Sequence, residues 1–154
     1  MFNIVLFEPE IPPNTGNIIR LCANTNAQLH LIHPLGFSME EKALRRAGLD
    51  YHEFTHVLEY ENFADFFNKT KPERLFALTT KGSVAHTIPQ YQIGDFFIFG
   101  PETRGLPDDI LALDNLFEKV RLPMQSKSRS LNLSNTVAIM LYEALRQIDF
   151  SDFK

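Results

Sequence analysis

The sequence predicts an α/β fold, a mostly parallel sheet with helices on both faces, built as one domain over residues 1–154. Three observations predict it. Short apolar runs of strand length alternate along the chain with stretches whose apolar residues recur at helical spacing. The runs stop at glycine and proline, which mark the turns. A length of 154 residues with 44% hydrophobic content suffices for one well-buried core and is short for two ordinary domains.

Residues 3–7, NIVLF, read as a buried strand ended by Glu8, Pro9, Pro12 and Pro13. A helix is expected from Thr15 or Gly16 to Thr25, because Ile18, Ile19, Leu21, Cys22 and Ala23 form a broad apolar stripe. Residues 29–33 give a second strand. Ser38 is placed to cap a helix through Arg46, with Glu40 and Glu41 in its first turn and Lys42, Arg45 and Arg46 later, and Gly48 ends it. A short strand is expected at 56–58 and a helix where Ala64, Phe63, Phe66 and Phe67 share a face. Residues 75–79 make the next strand, followed by an irregular stretch, KGSVAHTIPQYQIGD.

Phe96–Phe99 read as a buried strand that stops at Gly100 and Pro101, and a further strand ends at Pro123. A polar loop follows, and Ser134 or Asn135 is expected to cap a long terminal helix. That helix is apolar at Val137, Ala138, Ile139, Met140, Leu141, Ala144, Leu145 and Ile148, a stripe too wide for one buried face on a small domain. A second copy of the chain would cover it most simply, so a polar substitution at Val137 or Met140 is expected to break a homodimer.

The start of the chain has no basic region before its apolar residues, which excludes a signal peptide, and no apolar run approaches membrane-span length. A single cysteine, Cys22, excludes an internal disulfide and suits a reducing cytoplasm. The net charge of −4 does not advertise a nucleic-acid partner. Any such partner must use local positive charge: Lys42, Arg45 and Arg46 on one helical face, and Arg104, Arg121, Lys127 and Arg129 beside two loops.

Three blocks, NTGNIIR (14–20), FGPETRGL (99–106) and LPMQSKSRSLNLSN (122–135), resemble in order and spacing the three motifs of the SPOUT, or α/β-knot, RNA methyltransferases. The opening NIVLFEPEIPPNTGNIIRLCANT and the run GLDYHEF look most like the branch of small bacterial tRNA 2′-O-methyltransferases that modify the wobble nucleotide. The resemblance spans essentially the whole chain. It implies that the carboxyl-terminal part threads through a loop as a trefoil knot, which pattern rules alone would not suggest.

It further implies that S-adenosylmethionine lies in that knot against Leu78, Gly100, Glu102, Leu122, Ser130 and Leu131, with no metal. Arg20 is then the catalytic candidate, with Asn14, Ser130 and Asn132 as polar partners near the ribose. A guanidinium with a pKa above about 12 is a reluctant base, so a fixed cation beside the developing alkoxide is an equal reading. Arg45, Arg46, Lys81, Arg129 and Tyr142 are candidates for touching RNA, with the tRNA anticodon stem-loop as partner. The resemblance also implies a homodimer whose sites draw on both subunits.

Two other readings stand beside this one. A knot protein that binds RNA without transferring methyl groups would carry the same motifs. The run HEFTH (52–56) is a literal match to the zinc-peptidase pattern, in which His52 and His56 would ligate metal and Glu53 act as base. Against it, Gly48 interrupts the helix upstream and Thr55 and Val57 are β-branched.

Overall fold

The computed structural model describes residues 1–40, 48–54 and 56–153. Its elements are β1 (Asn3–Phe7), α1 (Pro12–Thr25), β2 (Gln28–Ile32), α2 (Tyr51–Phe54), β3 (Val57–Tyr60), α3 (Phe63–Thr70), β4 (Leu75–Leu78), β5 (Val84–Ala85), β6 (Phe96–Phe99), α4 (Asp108–Leu111), β7 (Glu118–Arg121) and α5 (Leu133–Gln147). The strands form one sheet in the order β3-β2-β1-β6-β4-β7-β5. Every pairing is parallel.

Alternation along the central strands explains why the sheet needs two covers. Ile4, Leu6, Phe76, Leu78, Phe97 and Phe99 point to one face, where α1 contributes Ile18 and Ile19 and α5 contributes Val137, Met140 and Leu141. Val5, Leu75, Ala77 and Ile98 point to the other, where α3 supplies Phe66 and α4 supplies Ile110 and Leu111. Both faces of β1, β4 and β6 are thereby dry. The expected architecture, a parallel sheet covered on both sides, is the one observed.

Several boundaries move for identifiable reasons. α1 begins at Pro12, earlier than expected, because its first two positions are prolines. They lack the N–H groups that a helix start leaves unpaired, so residues read as breakers are here helix starters. The stretch expected to be irregular holds β5, two residues paired only with β7 at the sheet edge. The cap of α5 is Asn132, whose side chain accepts from the N–H groups of Ser134 and Asn135, so the expected cap residues are the ones being capped. The helix expected over residues 38–46 falls largely outside the described residues. Ser38 does accept a hydrogen bond from the Glu40 N–H, at 3.1 Å.

α5 also corrects the interface expectation. Val137 and Met140 are fully buried within this one chain, against α1 and the sheet. The face left over carries Ile139, 42% exposed, and Tyr142, 46% exposed.

On the opposite side of the sheet, His30 is a buried polar residue with both ring nitrogens engaged, Nδ1 with the Tyr60 hydroxyl at 2.8 Å and Nε2 with Asn3 Oδ1 at 2.9 Å. Burial among Tyr60, Phe66 and Phe96 pulls its pKa down to about 4, because the charged imidazolium would lose its water.

Candidate active site

Parallel strands deliver their carboxyl ends to one edge of the sheet, and ligand crevices form there. At that edge the loops after β4, β6 and β7 enclose a cleft of about 480 Å³, with Ile11 and Asn14 of the α1 start as a fourth wall. Its floor is apolar, made by Leu78, Phe99, Leu106, Leu122, Met124 and Leu131. Its rim is polar.

Gly100 sets the shape of the middle loop. A Cβ there would lie 2.3 Å from the carbonyl carbon of Gly105 and from the N of Leu106. Any side chain would push the loop open, so backbone folds back on backbone and leaves amide groups beside the cleft.

The three motif blocks are tied together by side chains. Glu102 accepts from the N–H of Glu10 at 2.9 Å, from the N–H of Ile11 at 2.6 Å and from Asn14 Nδ2 at 3.3 Å. Glu10 returns the clasp, accepting from the Thr103 N–H at 3.0 Å and hydroxyl at 2.7 Å. Those two bonds, backbone first, hold the Glu10 carboxyl below its usual range. Asn14 Oδ1 accepts from Asn132 Nδ2 at 3.0 Å, while Asn132 Oδ1 caps α5. The chain Glu102, Asn14, Asn132 therefore joins residues that lie up to 118 positions apart. It fixes the cleft walls relative to one another.

Most of the residues singled out in the sequence meet here. Leu78, Gly100, Glu102, Leu122, Ser130 and Leu131 line the cleft, as do Asn14 and Asn132. Lys81 and Arg129 stand at its mouth, Lys81 paired with Asp108 at 3.2 Å. With Arg104 they give the rim a local positive character that the net charge conceals.

Two residues do not join them. Arg20 sits six residues beyond Asn14 on α1, which carries it about 9 Å along the axis and about a third of a turn round from the cleft. Tyr142 lies on the outer side of α5, its ring 6.1 Å from that of Phe150. Arg45 and Arg46, like Lys42, lie outside the described residues. The sequence reading missed Thr79, Thr103, Met124 and Thr136 as cleft residues. Thr103 was findable, since it falls inside FGPETRGL; nothing marked Glu10, whose partner is 93 positions away.

The peptidase reading fails on geometry. His52 and Glu53 lie in the single turn α2, and His56 comes after it, so the two histidines do not share a helical face. Glu53 faces Arg20 at 3.6 Å. Among the described residues no three His, Cys, Asp or Glu side chains are grouped to hold a metal ion.

The fold and the cleft fit a methyltransferase: the chain belongs to the SpoU rRNA Methylase family, whose model matches residues 1–142. It is 59% identical over 150 residues to the tRNA (cytidine(34)-2′-O)-methyltransferase of Escherichia coli strain K12, an alignment covering 97% of this chain and 96% of that one. Among solved structures it resembles one described for 2′-OH methylation of C/U34 on tRNA, with a TM-score of 0.89, 40% identity and 97% of each chain covered. An AdoMet-bound rRNA methyltransferase from Sinorhizobium meliloti shares the fold, with a TM-score of 0.82 and 24% identity over 96% of this chain and 56% of that one.

Proposed function

We propose that this protein transfers a methyl group from S-adenosylmethionine to the ribose 2′-hydroxyl of the tRNA wobble nucleotide. The observation that carries the reading is the joining of all three motif blocks around one cleft through Glu102, Asn14 and Asn132. The family model is named for rRNA, but the 59% identity to the Escherichia coli tRNA enzyme over nearly the whole chain favours tRNA.

The residues present fit the cofactor. A cleft of about 480 Å³ with an apolar floor is of the size that holds ligands of this kind, and a Cβ at Gly100 would destroy the loop that forms its wall. Leu78, Leu122 and Leu131 would hold the adenosine, with backbone at Gly100 and the Ser130 hydroxyl supplying polar contacts. The cofactor brings a methyl group already activated on a positive sulfur. The protein's contribution is then to align the ribose oxygen with that carbon and to stabilise charge on the oxygen as its proton leaves. Glu102, its carboxylate committed to the α1 start, braces the wall.

Arg20 is assigned the fixed cation beside that oxygen. Because it does not line its own chain's cleft, it would act in the cleft of a second copy, within a homodimer packed through α5 at Ile139 and Tyr142. Lys81 and Arg129 at the rim, with Arg45 and Arg46, would meet phosphates of the anticodon stem-loop. The sheet order, which sets β4 between β6 and β7, and the convergence of their loops support a trefoil knot in the carboxyl-terminal part. A cytoplasmic location follows from the substrate.

The test is mass mapping of tRNA treated with the purified protein and methyl-labelled cofactor. Label on the ribose of nucleotide 34 is expected. Cofactor and tRNA binding with no label transferred would instead establish the RNA-binding reading.

A further inference from the structure

Arg20 is not a free surface arginine. Its Nη2 donates to the carbonyl of Gly48, and its Nε lies 3.6 Å from Glu53 Oε2. Gly48 adopts a φ of +72°, a conformation that side-chain-bearing residues rarely take, and a Cβ there would sit 3.4 Å from Nη2. Glu53 is itself preset. Its Oε1 accepts from the Asp50 N–H at 3.2 Å, the reach-back half of a capping box, while its own N–H donates to the Asp50 main-chain carbonyl at 3.0 Å at the start of α2. The carboxylate is 17% exposed, against 47% for Arg20. Oε2 is buried and, among the described residues, makes no hydrogen bond, and the Arg20 guanidinium lies opposite it.

A solvent-exposed arginine ordinarily samples many rotamers, and an exposed ion pair does little to hold it. Here the acceptors are fixed before the arginine arrives, one by the backbone conformation of Gly48 and one by the hydrogen bond that Glu53 accepts from the Asp50 N–H. Both occupy the Nε and Nη2 side of the guanidinium plane, which leaves Nη1 outside these two contacts.

We propose that Glu53, together with the Gly48 carbonyl, is a positioning residue for methyl transfer: it holds the Arg20 guanidinium so that its Nη1 edge is presented to the ribose and phosphate of the bound RNA. This rests on the role given to Arg20 above. It assigns a function to the GLDYHEF segment, whose glycine and glutamate both face the same arginine.

Glu53→Gln keeps an oxygen acceptor for the Asp50 N–H and removes only the charge opposite Arg20. In the full-length protein acting on tRNA, kcat is expected to fall about tenfold, with calorimetric affinity for S-adenosylmethionine and the thermal midpoint unchanged. Glu53→Asp, which keeps the charge but draws it back by one methylene, should show the same split and serves if the glutamine variant does not fold. In an Arg20→Lys background, Glu53→Gln is expected to cost nothing further. The proposal is overturned if kcat stays at the wild-type level, if it falls equally in the Arg20→Lys background, or if cofactor affinity and midpoint fall in step with it. Wild-type kcat in Arg20→Ala would instead remove the role of Arg20 itself, whatever Glu53 does.

Discussion

Two side chains of α1 from the same motif, one near its amino end and one past its middle, meet opposite fates. At the amino end Asn14 is buried, 6% exposed, and bonded to both Glu102 and Asn132. At Arg20 the side chain is half exposed and its partners come from the segment around α2. The difference separates two jobs that one motif encodes. The amino end is a joint that ties the cleft walls together within one chain, whereas the arginine does not line that cleft and is held by the segment around α2.

Removing the arginine should have the largest effect. Arg20→Ala is expected to lower kcat roughly a thousandfold, the scale seen when one preorganised donor at a developing oxyanion is lost. Affinity for S-adenosylmethionine by calorimetry should hardly change, because Arg20 does not line the cleft. A large loss of cofactor affinity would merge the two jobs into one and break the distinction.

The next test uses α5, which packs beside α1 and shows the same division across its width. Met140→Ala removes a side chain that is fully buried within the chain and should destabilise it by about 3 kcal/mol in chemical denaturation. Ile139→Asp, on the exposed face, should convert a dimer to monomers in sedimentation while each chain stays folded by circular dichroism. A monomer that kept full activity would return Arg20 to its own chain's cleft.

How much of this was legible in the sequence follows the same line between local and distant causes. Asn3–Phe7 and Phe96–Phe99 were read with their true bounds, because a strand buried on both faces is a continuous apolar run closed by turn residues. The cleft lining was legible too, since its loops follow directly from strand ends and carry glycine and small polar residues. The start of α1 was not, because Pro12 and Pro13 look alike as breakers and as first helical residues. β5 had no run to betray it. The roles of Glu102 and Glu53 were beyond reach: each depends on a contact made only after folding, Glu102 with residues about ninety positions earlier and Glu53 with Arg20. The width of the α5 stripe could not say which apolar residues were taken by α1 and the sheet, and so pointed at Val137 and Met140 where the structure leaves Ile139 and Tyr142.

Acid should separate the closed side of the sheet from the joint, with the smallest effects. His30 has a folded pKa of about 4, below its ordinary 6.5, so the unfolded chain binds a proton that the folded chain refuses. Its contribution is complete above pH 6.5 and is lost as pH falls toward 4, reaching about 2 kcal/mol by pH 5. His30→Gln should flatten the denaturation midpoint across that window. The Glu10 carboxyl is also depressed, so its contribution is present above its ordinary 4.5 and disappears only as pH falls through the lower folded value. Because the Glu10 clasp with Thr103 is solvent-exposed, Glu10→Gln should change overall stability little. It should instead remove an acid-dependent loss of cofactor affinity below pH 4.5, measured on protein whose His30 has been replaced. If cofactor affinity in that background does not change with pH, the joint at the amino end of α1 is not what holds the cleft walls together.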